Sequence, residues 1–334
     1  MMLTEARFGG RRQVVKVSRH QDVTLVPLVD ETRRGKMVIP DRKDVSAHAW
    51  VLEHLEQMTE WLNAHGALLL RGFNVTDTDA FRQVVEATRG TLLNYTHRST
   101  PRKSISAGIY SSTEYPADQH IPQHNEMSYT LNWPTRLFFY CAVKPGEEGQ
   151  TPLADSKRMY QCLPADLIER FDRHGVMYVR NYGLGLDLSW QDVFQTEEVS
   201  EVERYCTENG IQFEWLSEGR LRTRQVCQAT IRDKHSGEGI WFNQAHLFHV
   251  SSLPPETEQE LRLEFSEIDL PRNTLFGDGT PIPAADLATI RATYQQEELV
   301  FDWEKGDILI VDNEVMSHGR RPFKTPRSIM VAMT

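Results

Sequence analysis

Short apolar runs rich in β-branched and aromatic residues recur through the middle and end of this chain, and helical patterns do not alternate with them. Val14–Val17, Val23–Leu28, Ala67–Arg71, Arg136–Val143 and Val176–Tyr182 read as strands. So do Gln225–Ile231, Gly239–Phe242, Leu299–Trp303, Asp307–Asp312 and Ser328–Met333. Helical spacing predicts a helix over Val45–Ala64, stopped by His65-Gly66, and others over Asp77–Arg89 and Pro164–Arg173. Thr196–Asn209 (Thr196 as N-cap), Pro255–Phe265 and Ala284–Gln295 complete the helices. The lack of regular strand–helix alternation argues against a doubly wound parallel sheet, and a closed or two-sheet β core with helical buttresses is expected. No repeat, low-complexity tract or Pro- or Ser-rich linker divides the 334 residues. One domain over 1–334 is therefore expected, with 1–64 as N-terminal strands and helix and 183–255 as an insertion or lid.

Composition narrows the partners. With 37 basic and 47 acidic residues the net charge is −10, which argues against nucleic acid as a main partner. The basic excess of residues 1–45, ten Lys/Arg against six Asp/Glu, reads as a solvated edge segment. No stretch approaches the roughly 18 apolar residues of a membrane span, and the opening MMLTEARFGGRRQVVKV lacks the apolar run of a secretory signal. Cys141, Cys162, Cys206 and Cys227 show no C-x-x-C spacing, so free thiols in a reducing cytoplasm are expected.

Chemistry enters through the histidines. His-x-Asp/Glu occurs at His20/Asp22, His54/Glu56 and His124/Glu126. Twelve histidines and 47 acids in 334 positions would give about 1.7 such matches by chance, so position must separate them. His54/Glu56 lies in a predicted helix, where residues two apart diverge by about 200° and cannot share an ion. On a strand the same spacing puts both side chains on one face. His20/Asp22 sits at the chain end with little to build a pocket. His124/Glu126, in IPQHNEMSY before the aromatic strand Leu137–Tyr140, is the best placed. A distant partner is His318, beyond the apolar strand Asp307–Val311 and nine residues before Arg327. Two histidines and one carboxylate make a facial triad that leaves three positions of an octahedral Fe(II) open. Arg327 suits the far carboxylate of a co-substrate chelating such an iron, because guanidinium pairs bidentately with carboxylates.

These residues carry a family resemblance. HGALLLRGFNV, IPQHNEMSYTLNWPTRLFFYC, TPLADSKRMYQCLP, GIWFNQAHLFH, LFGDGTPIP and WEKGDILIVDNEVMSHGRRPF fall in order across residues 65–323. They resemble the Fe(II)/2-oxoglutarate dioxygenases of the TauD/TfdA family, within it the branch typified by the aspartyl hydroxylase of syringomycin biosynthesis. The resemblance implies a double-stranded β-helix (jelly-roll) core, with His124, Glu126 and His318 as iron ligands. It implies that Arg327 and Thr151 hold 2-oxoglutarate and that O₂ is the oxidant. One departure is visible: the family usually has Gly-Gly where this chain has Glu148-Gly149, and Gln150 replaces a common Glu. Related halogenases replace the carboxylate ligand with a small residue, so Glu126 disfavours halogenation.

Substrate contacts are read at Arg102, Asn125, Phe242 and Asn243, with Asn125 facing away from the ligands on a regular strand. Tyr110, Ser112 and Tyr115 belong to a segment able to close over the pocket. His246 and His249 suit ordinary packing and are not taken as ligands. The branch implies C–H hydroxylation, at the β-carbon, of an amino-acid-like small molecule, free or tethered to a peptidyl carrier protein. Desaturation by the same cofactors and an inactive jelly-roll binding module are the alternatives.

Overall fold

In the computed structural model of the chain the described residues are 18–20, 22–93, 104–106, 108–112 and 115–334. A nine-stranded sheet runs in the order Ser18–His20, Val23–Pro27, Lys36–Pro40, Ala67–Leu70, Ile308–Asp312, Arg136–Val143, Ser328–Met333, Ile109–Ser111, Ser104–Ser106. Every pairing in it is antiparallel except that of Lys36–Pro40 with Ala67–Leu70. A three-stranded sheet, Leu153–Asp155, Met316–Arg320 and Ile121–His124, faces it.

Strand alternation divides the core into two layers. Leu68, Leu70, Phe138, Tyr140, Ile308 and Ile310 point to one side, against Trp50, Met58, Trp61, Phe81 and Val84 of the helices Ala47–Glu53, Leu55–His65 and Thr78–Ala87. Leu69, Leu137, Phe139, Leu309, Ile329 and Val331 point to the other, against Leu153, Met316 and Phe242. The second layer lies between the two sheets, and this is the expected jelly-roll core with helical buttresses.

Beyond the small sheet lies a four-stranded sheet in the order Gln212–Trp215, Leu221–Cys227, Val176–Tyr182, Arg272–Phe276. The stretch 183–255 supplies its edge strand Gln212–Trp215, the neighbouring strand Leu221–Cys227, and the buried strand Gly239–Trp241. No helix among the described residues is long and apolar enough to cross a membrane. All four cysteines are free.

Several elements depart from expectation. The helix over Val45–Ala64 breaks at His54, whose ring bonds the Trp50 carbonyl at 3.0 Å and stacks on the Trp50 ring. The helix expected from Thr196 begins at Val199, and the Thr196 hydroxyl instead accepts the Glu198 N–H. Leu299–Trp303 is not a strand. Only Leu299 forms a bridge, to Leu153, and the alternation of Leu299, Phe301 and Trp303 reports burial of one face without pairing. Gln225–Ile231 splits at Gln228, whose amide donates to the Ser128 and Thr130 carbonyls. Val14–Val17 lies outside the described residues.

Candidate metal centre

The strand Ile121–His124 pairs antiparallel with Met316–Arg320 so that His318 lies directly opposite His124. Both rings therefore leave the same face of the sheet, with centroids 4.4 Å apart. The alternate residues Gln123 and Ser317 face the other way, and the Ser317 hydroxyl donates to the Gln123 side chain at 3.3 Å. The His124 Nδ1–H donates to the Pro122 carbonyl at 2.8 Å, and since a carbonyl can only accept, the lone pair of the neutral ring is on Nε2.

Glu126 reaches the same point by a different route from the one its spacing suggests. The strand ends at His124, and Glu126 opens a turn whose next residue, Met127, has φ +58°. The turn forms because the Glu126 backbone is taken by a side chain: its N–H donates to Asn313 Oδ1 at 2.7 Å, and its carbonyl accepts from Asn313 Nδ2 at 2.9 Å. Neither group is left for a strand ladder. The buried Glu126 carboxylate comes to 3.9 Å from His318 Nε2. One ligand atom from each of His124, Glu126 and His318 lies within 4.8 Å of the others, the only such cluster of three His, Cys, Asp or Glu groups among the described residues.

A cavity opens beside the triad, lined by His124, His318, Thr151, Ser112, Arg320 and Arg327 with apolar walls that include Phe139 and Ile329; with its solvent-open mouth it holds about 370 Å³ of empty space. Arg327 immediately precedes the last strand of the large sheet. Its Nε donates to the Gly149 carbonyl at 3.0 Å and its Nη1 to the Ser112 hydroxyl at 3.2 Å, and the guanidinium lies over the Phe323 ring. Among the described residues no carboxylate pairs with it. Burial, and then the nearby Arg320 charge, pull it down to about 10, so it remains a cation at neutral pH. The buried Thr151 hydroxyl accepts from the Trp303 indole at 3.2 Å. At the departure from the family pattern, Glu148 adopts φ +55° and Gly149 φ +71°.

The other candidates are placed as follows. Asn125 is fully buried, its amide donating to Asn313 O at 2.7 Å and to Ser156. Asn243 is fully buried too, donating to Ala229 O and accepting from Ala245 N–H. Phe242 is buried against Trp133. None of the three is among the residues that line this cavity: Asn125 bonds the Asn313 carbonyl and the Ser156 hydroxyl, Asn243 bonds backbone, and the Phe242 ring packs in the core. Arg102 lies outside the described residues. Tyr110 is a core residue, whereas Ser112 bonds Arg327 and the Tyr115 carbonyl accepts from Arg320. His246 is buried, pulled down to about 3 by desolvation, and donates from Nε2 to the Gln123 carbonyl. His249, pulled down to about 4 by burial, accepts the Ser251 N–H. Asp22 pairs with Arg42 on the surface.

The comparisons agree with this geometry. The family described as "Taurine catabolism dioxygenase TauD, TfdA family" matches residues 36–334. The chain belongs to that family. It is 39% identical to the dapdiamide synthesis protein DdaC of Enterobacter agglomerans, over 92% of this chain and 93% of DdaC. It is 30% identical to a clavaminate synthase-like protein of Arabidopsis thaliana, over 81% of this chain and 82% of that protein. Among solved structures, PvcB of Pseudomonas aeruginosa superposes with a TM-score of 0.58 at 17% identity, covering 95% of this chain and 92% of PvcB. PvcB is described as an Fe, alpha-ketoglutarate dependent oxygenase from an isonitrile synthetic pathway. AAD-2, solved with Mn(II) and N-oxalylglycine, superposes with a TM-score of 0.51 at 12% identity, covering 96% of this chain and 97% of AAD-2.

This member of the TauD/TfdA family is thus a 2-oxoglutarate-dependent dioxygenase that uses Fe(II) and O₂. Its residues fit that chemistry. Two imidazoles and one carboxylate converging from one side suit Fe(II) and leave coordination positions free. A buried guanidinium that no carboxylate of the described residues pairs with lies in the adjoining cavity.

Proposed function

We propose that this dioxygenase hydroxylates a C–H bond, at the β-carbon, of an amino-acid-type substrate, free or tethered to a carrier protein, in a natural-product pathway. His124, Glu126 and His318 would hold the iron, and Arg327 with Thr151 the distal carboxylate of 2-oxoglutarate. The observation that carries the chemistry is the triad beside a cavity lined by Arg327, whose guanidinium no carboxylate of the described residues pairs with. The substrate class is supported by the 39% identity to a dapdiamide synthesis protein over nearly the whole length of both chains.

When bound, iron and 2-oxoglutarate supply an oxidant able to break an unactivated C–H bond, with 2-oxoglutarate leaving as succinate and CO₂. The chain does the rest. The Pro122 carbonyl fixes the His124 tautomer so that Nε2 faces inward. The Asn313 side chain aims Glu126 by holding its backbone. Arg327 contributes charge and a planar donor edge, held by Gly149 and Ser112 before any ligand arrives. Phe139, Ile329 and Val331 keep the cavity wall apolar and exclude water.

Anaerobic protein given Fe(II) and 2-oxoglutarate should develop the weak visible band of a chelated 2-oxoacid, absent in His124→Ala. With O₂ and a panel of amino acids, free and carrier-loaded, one substrate should couple succinate release to a product one oxygen atom heavier. Succinate release that no member of the panel stimulates would sink the substrate assignment, and a product lacking two hydrogens would favour desaturation.

A further inference from the structure

We propose that Asn313 is a positioning residue for the Glu126 carboxylate and sets how tightly the centre holds its metal; this rests on the assignment of His124, Glu126 and His318 as ligands. Asn313 is fully buried at the corner between the strands Ile308–Asp312 and Met316–Arg320. Its side chain has one acceptor oxygen and two donor hydrogens, and all are used on the connection from Glu126 to Pro134. Oδ1 accepts the Glu126 N–H at 2.7 Å, and Nδ2 donates to the Glu126 carbonyl at 2.9 Å and the Pro134 carbonyl at 2.8 Å. Its backbone is tied to the same region, the N–H to the Thr135 carbonyl at 3.0 Å and the carbonyl to Asn125 Nδ2 at 2.7 Å.

One side chain thus grips residue 126 at both its N–H and its C=O. The direction of the Glu126 Cα–Cβ bond follows from the peptide planes on either side of it, and neither can rotate without breaking an Asn313 bond. Asn313 also stands five residues before His318, so the carboxylate and that imidazole are referred to the same corner. Ser and Ala are too short to make all three side-chain bonds, and Asp lacks the donors that the Glu126 and Pro134 carbonyls require. A ligand aimed in advance costs the metal less to bind, and outer partners of this kind are worth roughly 10- to 100-fold in metal affinity.

A purely structural role predicts something different, and the fold supplies a matched control. Asn181 is also buried, donates to two carbonyls (Ile268 and Leu270) and accepts from Arg222, but lies in the four-stranded sheet away from the triad. Mn(II) affinity of the full chain, read by the loss of the free-ion EPR signal, should weaken roughly 10- to 100-fold in Asn313→Ala and Asn313→Asp. Asn181→Ala should lower the metal-free Tm comparably and leave Mn(II) affinity unchanged. Should Asn313→Ala not fold, Asn313→Asp, of nearly equal volume and still able to accept the Glu126 N–H, decides. Unchanged affinity in a folded Asn313 variant overturns the proposal. His124→Ala reports on the ligand assignment separately: if it binds Mn(II) like the wild type, that assignment fails and the proposal with it.

Discussion

His124 and His318 face each other across two antiparallel strands in register, and the residue after His318 is the one that lets the strands come this close. The ladder is irregular between His318 and Arg320, where Gly319 lies over the other strand. A Cβ on Gly319 would stand 2.7 Å from the Ile121 carbonyl oxygen, a backbone atom that cannot swing aside. Gly319→Ala should therefore push the two ligand strands apart. We expect a loss of about 1–3 kcal/mol in denaturant unfolding together with weaker Mn(II) binding. Unaltered unfolding and metal titrations would show that the pair tolerates a wider spacing.

Arg327 should act on co-substrate binding and little on turnover. Hydrogen bonds to charged groups contribute about 1.5–3 kcal/mol, so Arg327→Gln should raise KM for 2-oxoglutarate by roughly one to two powers of ten at similar kcat. Arg327→Lys should recover part of this, since an ammonium supplies charge without the planar fork. With the guanidinium pulled down to about 10, its charge is present below that pH and lost above it. Affinity for N-oxalylglycine should accordingly be flat near neutrality and fall as pH rises through about 10. A similar fall in Arg327→Gln would assign the titration to another group.

The buried histidines His246 and His249 give the fold an acid-sensitive term. Burial holds them near 3 and 4, below the ordinary histidine value of 6.5, so the folded state binds fewer protons than the unfolded chain. Stability is then lost as pH falls below about 6.5, by up to roughly 1.4 kcal/mol per pH unit per histidine until the folded values are reached. Urea unfolding between pH 7 and pH 5 should show this slope. His246→Gln, which can still donate to the Gln123 carbonyl, should flatten it. An unchanged slope in both His246→Gln and His249→Gln would remove them as the source.

What could be read beforehand follows a physical line. Arg136–Val143, Val176–Tyr182 and Ser328–Met333 were readable to the residue because they are rich in apolar, β-branched and aromatic residues and are bounded by polar or turn residues. The triad was readable from spacing and neighbours, although the strand expected to align Glu126 with His124 ends at His124, two residues short of Glu126. Asn313 was not, since its work is done on residue 126, 187 positions away in sequence. The only local trace is an asparagine immediately after an apolar strand, in V-D-N-E, which also reads as an ordinary turn. Asn125 and Asn243 show the converse: the sequence places a polar residue beside a site but does not reveal the backbone carbonyls, of Asn313 and Ala229, to which its amide donates.

Gly149 tests whether the cavity arginine is placed by its surroundings. It has φ +71°, and an added Cβ would lie 2.9 Å from the Phe323 Cβ, 3.0 Å from the Pro145 Cβ and 3.1 Å from the Arg327 Cδ. Its carbonyl also accepts from Arg327 Nε. Gly149→Ala adds the strain of a left-handed alanine, about 1 kcal/mol, and presses on the arginine stem. Neighbouring Glu148 already tolerates φ +55°, so strain alone should not unfold the turn. We expect a small drop in Tm with a several-fold rise in KM for 2-oxoglutarate and unchanged metal-only Mn(II) affinity. That split separates a displaced Arg327 from general loosening, which would weaken both ligands together. A Gly149→Ala protein with wild-type KM would mean that Arg327 is positioned chiefly by Ser112 and Phe323.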